Sequence, residues 1–207
     1  MMASAMLERE QSRALPIRNG AFVAVVGPSG AGKDTLIAHA RAALAGDPQI
    51  DFVRRVITRP CDGQTEEHDS LSDAAFAKAL ADGAFALSWE AHGLCYGLPA
   101  EIDLALDNGH VAVANLSRGA LPALRERYAN VAVVEVTADP EILAARLAGR
   151  GRESREEVLA RLARTISCET TGSAIALDNS GAPEIAGVKL VGIIRKAMAF
   201  ADISGTV

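Results

Sequence analysis

The chain has 207 residues, of which 49% are hydrophobic, so its length suits one globular α/β domain with an insertion. A net charge of −5 argues against a general nucleic-acid or membrane-surface binder. The three cysteines are scattered and no apolar stretch approaches the ~20 residues of a membrane span, so we expect a cytoplasmic protein with reduced thiols.

Residues 1–18 lack the apolar core of a signal peptide and are interpreted as a flexible N-terminal arm before a single domain at 19–207. Short apolar runs then alternate with helical patterns, which predicts a parallel sheet covered by helices. The predicted strands are 22–26, 52–57, 111–114, 131–136 and 174–177, and the predicted helices are 33–44, 72–82, 99–107, 119–128, 139–149, 154–167 and 183–201. Residues 58–98 break this alternation and predict an inserted region that binds an acceptor substrate.

A glycine-rich loop lies between the first strand and the first helix. Its residues are Gly27, Pro28, Ser29, Gly30, Ala31, Gly32, Lys33, Asp34 and Thr35. The pattern predicts a phosphate-binding loop, whose backbone N–H groups and lysine hold a nucleotide polyphosphate; the alternative is a glycine turn that binds nothing. The position after the lysine is normally Ser or Thr and holds Mg²⁺, so we expect Asp34 and Thr35 to hold Mg²⁺ here, directly or through water.

Arginines supply the remaining positive charge that phosphoryl transfer requires. Arg150 lies between two glycines after helix 139–149, and Arg161 follows on the next helical segment. This pattern predicts a lid at 148–166 that closes over phosphates; the alternative is a solvated, charged helix end. Arg59 directly follows the second strand, where strand ends face the ligand crevice of an α/β sheet, although a surface turn also fits.

These motifs together resemble the guanylate kinase family. The matching segments are Gly27–Lys33, Thr58-Arg59-Pro60, Phe85–Gly97 and Arg146–Gly151. The resemblance implies a three-layer P-loop NTPase fold of the nucleotide-kinase type, with a parallel central sheet. It also implies that Arg59 and Tyr96 hold the acceptor phosphate, that Arg150 and Arg161 hold the transferring phosphoryl group, and that Asn179 lies near the adenine of ATP. His68 replaces a phosphate-binding tyrosine, so a substrate contact and a surface turn both stay open.

Three departures from guanylate kinases bear on the substrate. Leu87 replaces the glutamate that accepts hydrogen bonds from guanine, and leaving the guanine donors unpaired costs about 1–3 kcal/mol each. The acidic strand end becomes Asn115-Leu116-Ser117, followed by Arg118, and the loop serine becomes Asp34. We interpret the last two changes as linked, with a carboxylate lost from the strand and replaced from the loop. The added cation, Arg118, predicts a more anionic acceptor than a nucleoside monophosphate.

The combination is similar to the ribose 1,5-bisphosphate phosphokinases of phosphonate catabolism. That resemblance implies transfer of the γ-phosphoryl group of ATP to the 1-phosphate of ribose 1,5-bisphosphate, with Mg²⁺, and implies that Arg118 helps to hold the acceptor. The alternatives are a guanylate or other nucleoside monophosphate kinase, and a binding module without catalysis. We expect small-molecule partners only, and a monomer or homodimer.

Overall fold

The computed structural model describes residues 15–59, 68–148 and 174–204. The strands are β1 (Ala21–Val26), β2 (Ile50–Phe52), β3 (Arg55–Ile57), β4 (His68–Ser70), β5 (Phe85–Ala91), β6 (Leu94–Pro99), β7 (Val111–Asn115), β8 (Val131–Thr137) and β9 (Ile175–Asp178). The helices are α1 (Lys33–Ala43), α2 (Asp73–Ala81), α3 (Glu101–Asp107), α4 (Leu121–Arg127), α5 (Pro140–Ala148) and α6 (Pro183–Ser204), with a 3-10 turn at Arg118–Ala120. The predicted lid at 148–166, with Arg150 and Arg161, lies outside the described residues except at Ala148.

A five-stranded parallel sheet in the order β2-β7-β1-β8-β9 forms the centre of the fold. Successive side chains of a strand point to opposite faces, and β1 is buried along its whole length. Val23 and Val25 pack with α1 and α6 on one face, whereas Phe22 and Ala24 pack with α3 and α4 on the other. Burial on both faces explains the unbroken apolar run of β1 and confirms the predicted three-layer α/β fold.

A second sheet, in the order β4-β3-β6-β5, combines β3, which precedes the predicted insertion at 58–98, with β4, β5 and β6, which come from it except for Pro99. The predicted single strand 52–57 is wrong: β2 pairs with β7 in the central sheet, whereas β3 pairs antiparallel with β6 in the second. The chain leaves the central sheet at Val53, whose N–H donates to the carbonyl of Val113 at 2.9 Å. One extended segment therefore joins the two sheets directly.

Two other sequence predictions need correction. Ile17 lies inside the predicted arm, yet it forms a bridge with Tyr128 and packs against the core. In α6 we predict from the sequence a buried stripe of Ile185, Val188, Val191, Ile194 and Met198; Ile194 is buried and Val191 and Met198 pack against the core, but Ile185 and Val188 are more than 60% exposed. The buried face of α6 is rotated relative to the predicted one because it includes small residues: Ala186 and Ala201 are buried beside Leu190 and Ile194. No described helix is both long and apolar enough to cross a membrane.

The rotation of α6 reflects its close approach to α1. This close packing predicts the effects of two glycine substitutions in α6. A Cβ on Gly187 would lie 2.4 Å from the His39 ring, whereas a Cβ on Gly192 meets nothing within 4 Å. We expect Gly187→Ala to destabilise the protein by about 1–3 kcal/mol through overpacking. Gly192→Ala, on the same helix, should stabilise it by about 0.5–1 kcal/mol. Urea unfolding of both variants checks this, and equal effects would contradict the packing argument.

A buried tyrosine links α3 to α4 and predicts an alkaline limit to stability. The Tyr128 hydroxyl donates to Asp103 at 2.7 Å, and the Arg127 guanidinium pairs with the same carboxylate. Burial first, and then the bond to Asp103, raise the pKa of Tyr128 above its ordinary value of 10.0. A raised pKa means that the folded state holds the hydroxyl proton more tightly than the unfolded state does. The contribution of this proton to the free energy of unfolding is therefore complete below pH 10 and is lost as pH rises through the raised pKa.

The stability difference between wild type and Tyr128→Phe isolates this titration. We expect the difference in unfolding free energy between the two proteins to be constant near neutral pH. Above about pH 10 the wild type should lose stability relative to Tyr128→Phe. Urea midpoints measured for both proteins from pH 8 to pH 11 check the prediction. A difference that does not change over this range would show that the hydroxyl ionises equally easily in both states.

Candidate active site

The candidate site lies at the carboxyl edge of the central sheet. The glycine-rich loop leaves β1, Asn115 ends the neighbouring strand β7, and Asn179 follows β9. After β1 the chain goes to one side of the sheet, and β8 and β9 lie on the other side. Such a reversal opens a crevice at the carboxyl ends of the strands, where ligands of α/β proteins bind.

The loop needs glycine at both ends for different physical reasons. Gly27 has a φ of 143°, and a Cβ there would lie 2.2 Å from the carbonyl oxygen of Val136 on β8. Gly32 caps α1 with a φ of 88°, and a Cβ there would lie 2.4 Å from the Asn179 amide nitrogen. The loop therefore packs tightly against β8 and Asn179, and the N-terminus of α1 begins directly at Lys33, as the sequence predicts.

The side chains of Asn179 and Arg146 form hydrogen bonds that support the loop. The Asn179 amide, only 2% exposed, donates to the carbonyl of Ala31 at 2.7 Å. Arg146 of α5 donates to the carbonyl of Asn179 at 3.0 Å and reaches the carbonyl of Gly30 at 3.4 Å. Asn179 thus supports the loop conformation, and its contact with adenine stays a prediction.

Lys33 and Asp34 occupy the first turn of α1. The Lys33 ammonium donates to the carbonyls of Gly27 and Pro28 at 2.9 and 3.0 Å, so it lies over the loop. Oδ1 of Asp34 accepts a hydrogen bond from the Asn115 amide at 2.7 Å and lies 4.0 Å from the Arg55 guanidinium. The side chain of Asp34 is 36% exposed, whereas Thr35 lies on an exposed face of the helix. Asp34 of the loop and Asn115 of the strand are thus in direct contact, and their shared role at a magnesium site stays a prediction.

The second sheet supplies the other wall of the crevice. Thr58, which follows β3, forms two hydrogen bonds with Cys95 of β6. The Thr58 hydroxyl accepts from the N–H of Cys95 at 3.0 Å, and the Thr58 N–H donates to the carbonyl of Cys95 at 3.1 Å. This pair fixes the chain just before Arg59. On the next residue of β6, the Tyr96 ring stacks on Trp89 with centroids 5.3 Å apart. Tyr96 therefore lies on β6, and Arg59 lies just beyond the end of the neighbouring strand β3.

Arg55 is a site residue that sequence reasoning missed. Its side chain is only 10% exposed, and its guanidinium lies 5.8 Å from the centroid of the Tyr96 ring, within cation–π range. The sequence signal was the alternation of β3, in which residues 55 and 57 share one face. That face is buried at Arg55 and Ile57.

Arg118 and His68 both have defined neighbours in the structure. The Arg118 guanidinium donates two hydrogen bonds to Glu135 of β8, at 2.6 and 3.1 Å, so its charge is largely balanced. His68 is not in a surface turn: it is 3% exposed on β4 and pairs in register with Arg55. Among the described residues, no group of three or more His, Cys, Asp or Glu side chains forms a metal cluster.

Comparisons with known proteins decide the family. The chain is 51% identical over 205 residues to a ribose 1,5-bisphosphate phosphokinase PhnN from Chelativorans sp. (strain BNC1), covering 98% of both chains. Proteins of the same name from Brucella melitensis and Agrobacterium fabrum are 54% and 46% identical, covering 78% and 85% of this chain and 85% and 97% of their own. This chain belongs to the ribose 1,5-bisphosphate phosphokinase family. It is therefore a kinase, as the motifs predict.

The solved structures add the fold. A guanylate kinase from Anaplasma phagocytophilum superposes with a TM-score of 0.62 over 89% of each chain, at 16% identity. At that identity the likeness shows the fold alone, and it confirms the nucleotide-kinase type of architecture. No family model matches the chain.

Leu87 is the position that the resemblance aligns with the guanine-binding glutamate of guanylate kinases. In the structure Leu87 is 8% exposed and packs in the core with Leu98 and Ala86, between the second sheet and the central sheet. An aliphatic side chain there accepts no hydrogen bond. Leu87 is thus part of the hydrophobic core, and its correspondence to the guanine-binding glutamate stays a prediction.

Proposed function

We propose that the protein transfers the γ-phosphoryl group of ATP to the 1-phosphate of ribose 1,5-bisphosphate, giving 5-phospho-α-D-ribose 1-diphosphate and ADP. Family membership supports the substrate. The geometric observation that carries the proposal is the crevice between the two sheets, in which the Arg55 guanidinium lies 4.0 Å from the loop carboxylate of Asp34 and the position that the resemblance aligns with the guanine-binding glutamate is the buried Leu87. We place this reaction in the cytoplasm, within phosphonate catabolism.

The donor side of the site suits a triphosphate. The backbone N–H groups of the loop and the N-terminus of α1 provide an anion-binding concavity, and Lys33 adds a charge that can reach the β- and γ-phosphates. The braces from Arg146 and Asn179 hold this concavity in shape before a ligand binds. Preorganised donors need no rearrangement when charge develops, which is how such groups accelerate a reaction.

The residues beside the loop fit a magnesium ion. Mg²⁺ in kinases is usually held by one or two carboxylates and the substrate phosphates, so a single accessible carboxylate is enough. Asp34 provides that group, and the Asn115 amide fixes its orientation at 2.7 Å. Bound there, Mg²⁺ would neutralise charge on the β- and γ-phosphates. We propose Asp34 as the main ligand and Thr35 as a ligand through water.

The acceptor side consists of Arg59, Tyr96 and His68 on the second sheet. An oxygen of the acceptor phosphate attacks the γ-phosphorus, and the bond from the γ-phosphorus to its bridging oxygen breaks, with the electron pair leaving on ADP. The attacking phosphate is already an anion, so the step needs no general base. Arg118 would act from the rim, paired with Glu135, while Arg150 and Arg161 keep the roles that the resemblance implies.

A coupled assay of ADP release tests the proposal. Purified protein is given Mg-ATP with either ribose 1,5-bisphosphate or GMP as acceptor. We expect turnover with the sugar bisphosphate and none with GMP, because the buried Leu87 offers guanine no acceptor. Turnover with GMP alone would favour a guanylate kinase, and no turnover with either acceptor would favour the binding module.

A further inference from the structure

The inference concerns Arg55, and it rests on the proposed function. Arginine is almost never this deeply buried without partners that compensate its lost hydration. Two neighbours of opposite kind define its position: the Asp34 carboxylate at 4.0 Å on the loop side and the Tyr96 ring at 5.8 Å on the sheet side. Arg55 therefore lies at the junction between the donor loop and the acceptor sheet.

The guanidinium lies over one ring of a stacked aromatic pair. Trp89 lies parallel to Tyr96, at an interplanar angle of 8°, and the Arg55 guanidinium lies over the Tyr96 ring. The stack restricts the rotamers of Arg55 before any substrate binds, so little further entropy is lost when its N–H groups bind an anion. A planar guanidinium also matches two phosphate oxygens at once, which an ammonium does not.

We infer that Arg55 is a specificity-determining residue that binds the reacting 1-phosphate of the acceptor. The loop carboxylate beside it is the proposed magnesium ligand, so a phosphate in contact with Arg55 is next to the γ-phosphoryl group. Two anions must approach each other in this reaction, and a buried cation between them reduces their repulsion. With Arg59, which follows β3 and which the resemblance places on the acceptor phosphate, Arg55 gives the acceptor site two guanidinium groups, and this added positive charge favours a bisphosphate over a monophosphate.

The main test is the variant Arg55→Met, with Arg54→Met as its matched control. Arg54 is the next residue on the chain, but it is half exposed and pairs with Asp69 at the surface. We expect Arg55→Met to lower kcat/KM for ribose 1,5-bisphosphate about 100-fold while the KM for ATP and the half-activating Mg²⁺ concentration change less than about threefold. Arg55→Lys keeps the positive charge but not the planar guanidinium with its paired N–H donors, so its kcat/KM for ribose 1,5-bisphosphate should fall about 10-fold. Arg54→Met should match the wild type.

A binding measurement separates this role from a structural one. Trp89 is the single tryptophan and is stacked in the same group as Arg55, so its emission reports occupancy of the acceptor site. Titration with ribose 1,5-bisphosphate in the absence of ATP should show weaker binding in Arg55→Met and in Arg55→Lys. Should Arg55→Met fail to fold, Arg55→Lys carries the same test.

Each other outcome has a distinct meaning. A shift in the Mg²⁺ requirement with an unchanged acceptor KM would show that Arg55 only adjusts Asp34, and would overturn the inference. Normal turnover by the wild type together with normal turnover by Arg55→Met would overturn the inference and leave the proposed function intact. A wild type that does not turn over ribose 1,5-bisphosphate contradicts the proposed function, and the inference with it.

Discussion

Lys33→Met is expected to reduce kcat about 10³-fold, because removing a preorganised cation from developing phosphoryl charge has an effect of this size. The structure gives the physical reason for a loss in turnover greater than the loss in ATP affinity. The ammonium lies over the loop, within 3.0 Å of two loop carbonyls, where the terminal phosphates would lie. Several backbone N–H groups also bind the nucleotide, so the loss of Lys33 should weaken ATP affinity less than turnover. None of these N–H groups carries a full positive charge.

The matched control for this variant is Lys78→Met. Lys78 is exposed on α2 and pairs with Asp82 one turn away, so its loss should leave turnover unchanged. The measurements are kcat by the coupled assay and the Kd for ATP by calorimetry. A Lys33→Met protein that keeps more than about a tenth of wild-type kcat would contradict the assignment of the loop as the donor site.

The second large effect is expected from exchanging the carboxylate between loop and strand. Asp34→Ser removes the loop carboxylate, and we expect a loss of about 100-fold in Mg²⁺-dependent turnover, with metal-free ATP binding retained. Asn115→Asp alone places a second carboxylate 2.7 Å from the first, where like charges repel and one of them takes up a proton. The double variant Asp34→Ser/Asn115→Asp has one carboxylate again, on the strand.

This cycle distinguishes a magnesium ligand from a structural aspartate. If Asp34 serves the metal, the double variant should recover turnover beyond the product of the two single effects, and its half-activating Mg²⁺ concentration should return towards that of the wild type. Additive losses would show that the two positions act independently. Asp34→Ala with unchanged Mg²⁺ dependence would remove Asp34 from the metal site altogether.

The donor half of the site could be predicted from the sequence because its chemistry is local. Loop, lysine and aspartate follow one another in the chain, and a strand before them and a helix after them are enough to place them. The contact between Asp34 and Asn115 spans 81 residues, and only the resemblance to a family with a known strand end suggested it.

The acceptor half depended on sheet register, which a single sequence does not contain. Arg54 and Arg55 are adjacent and chemically identical, and a shift of one residue would exchange the buried one for the exposed one. Likewise, residues 52–57 read as one strand, and only pairing with β7 and β6, much later in the chain, divides this stretch between two sheets. The stripe on α6 was only partly right for a related reason: apolar residues occur on several faces of this helix, and its close approach to His39 selects one.

The hydrogen bond between Asp34 and Asn115 also bears on how such a kinase could arise from a relative with a loop serine and a strand aspartate. Changing the loop first passes through a protein with two facing carboxylates, and changing the strand first passes through one with none. Both intermediates should be poor catalysts, so the two positions are expected to change together. Across related sequences, Asp at position 34 should therefore occur with Asn at 115, and Ser or Thr at 34 with Asp at 115, with mixed pairs rare.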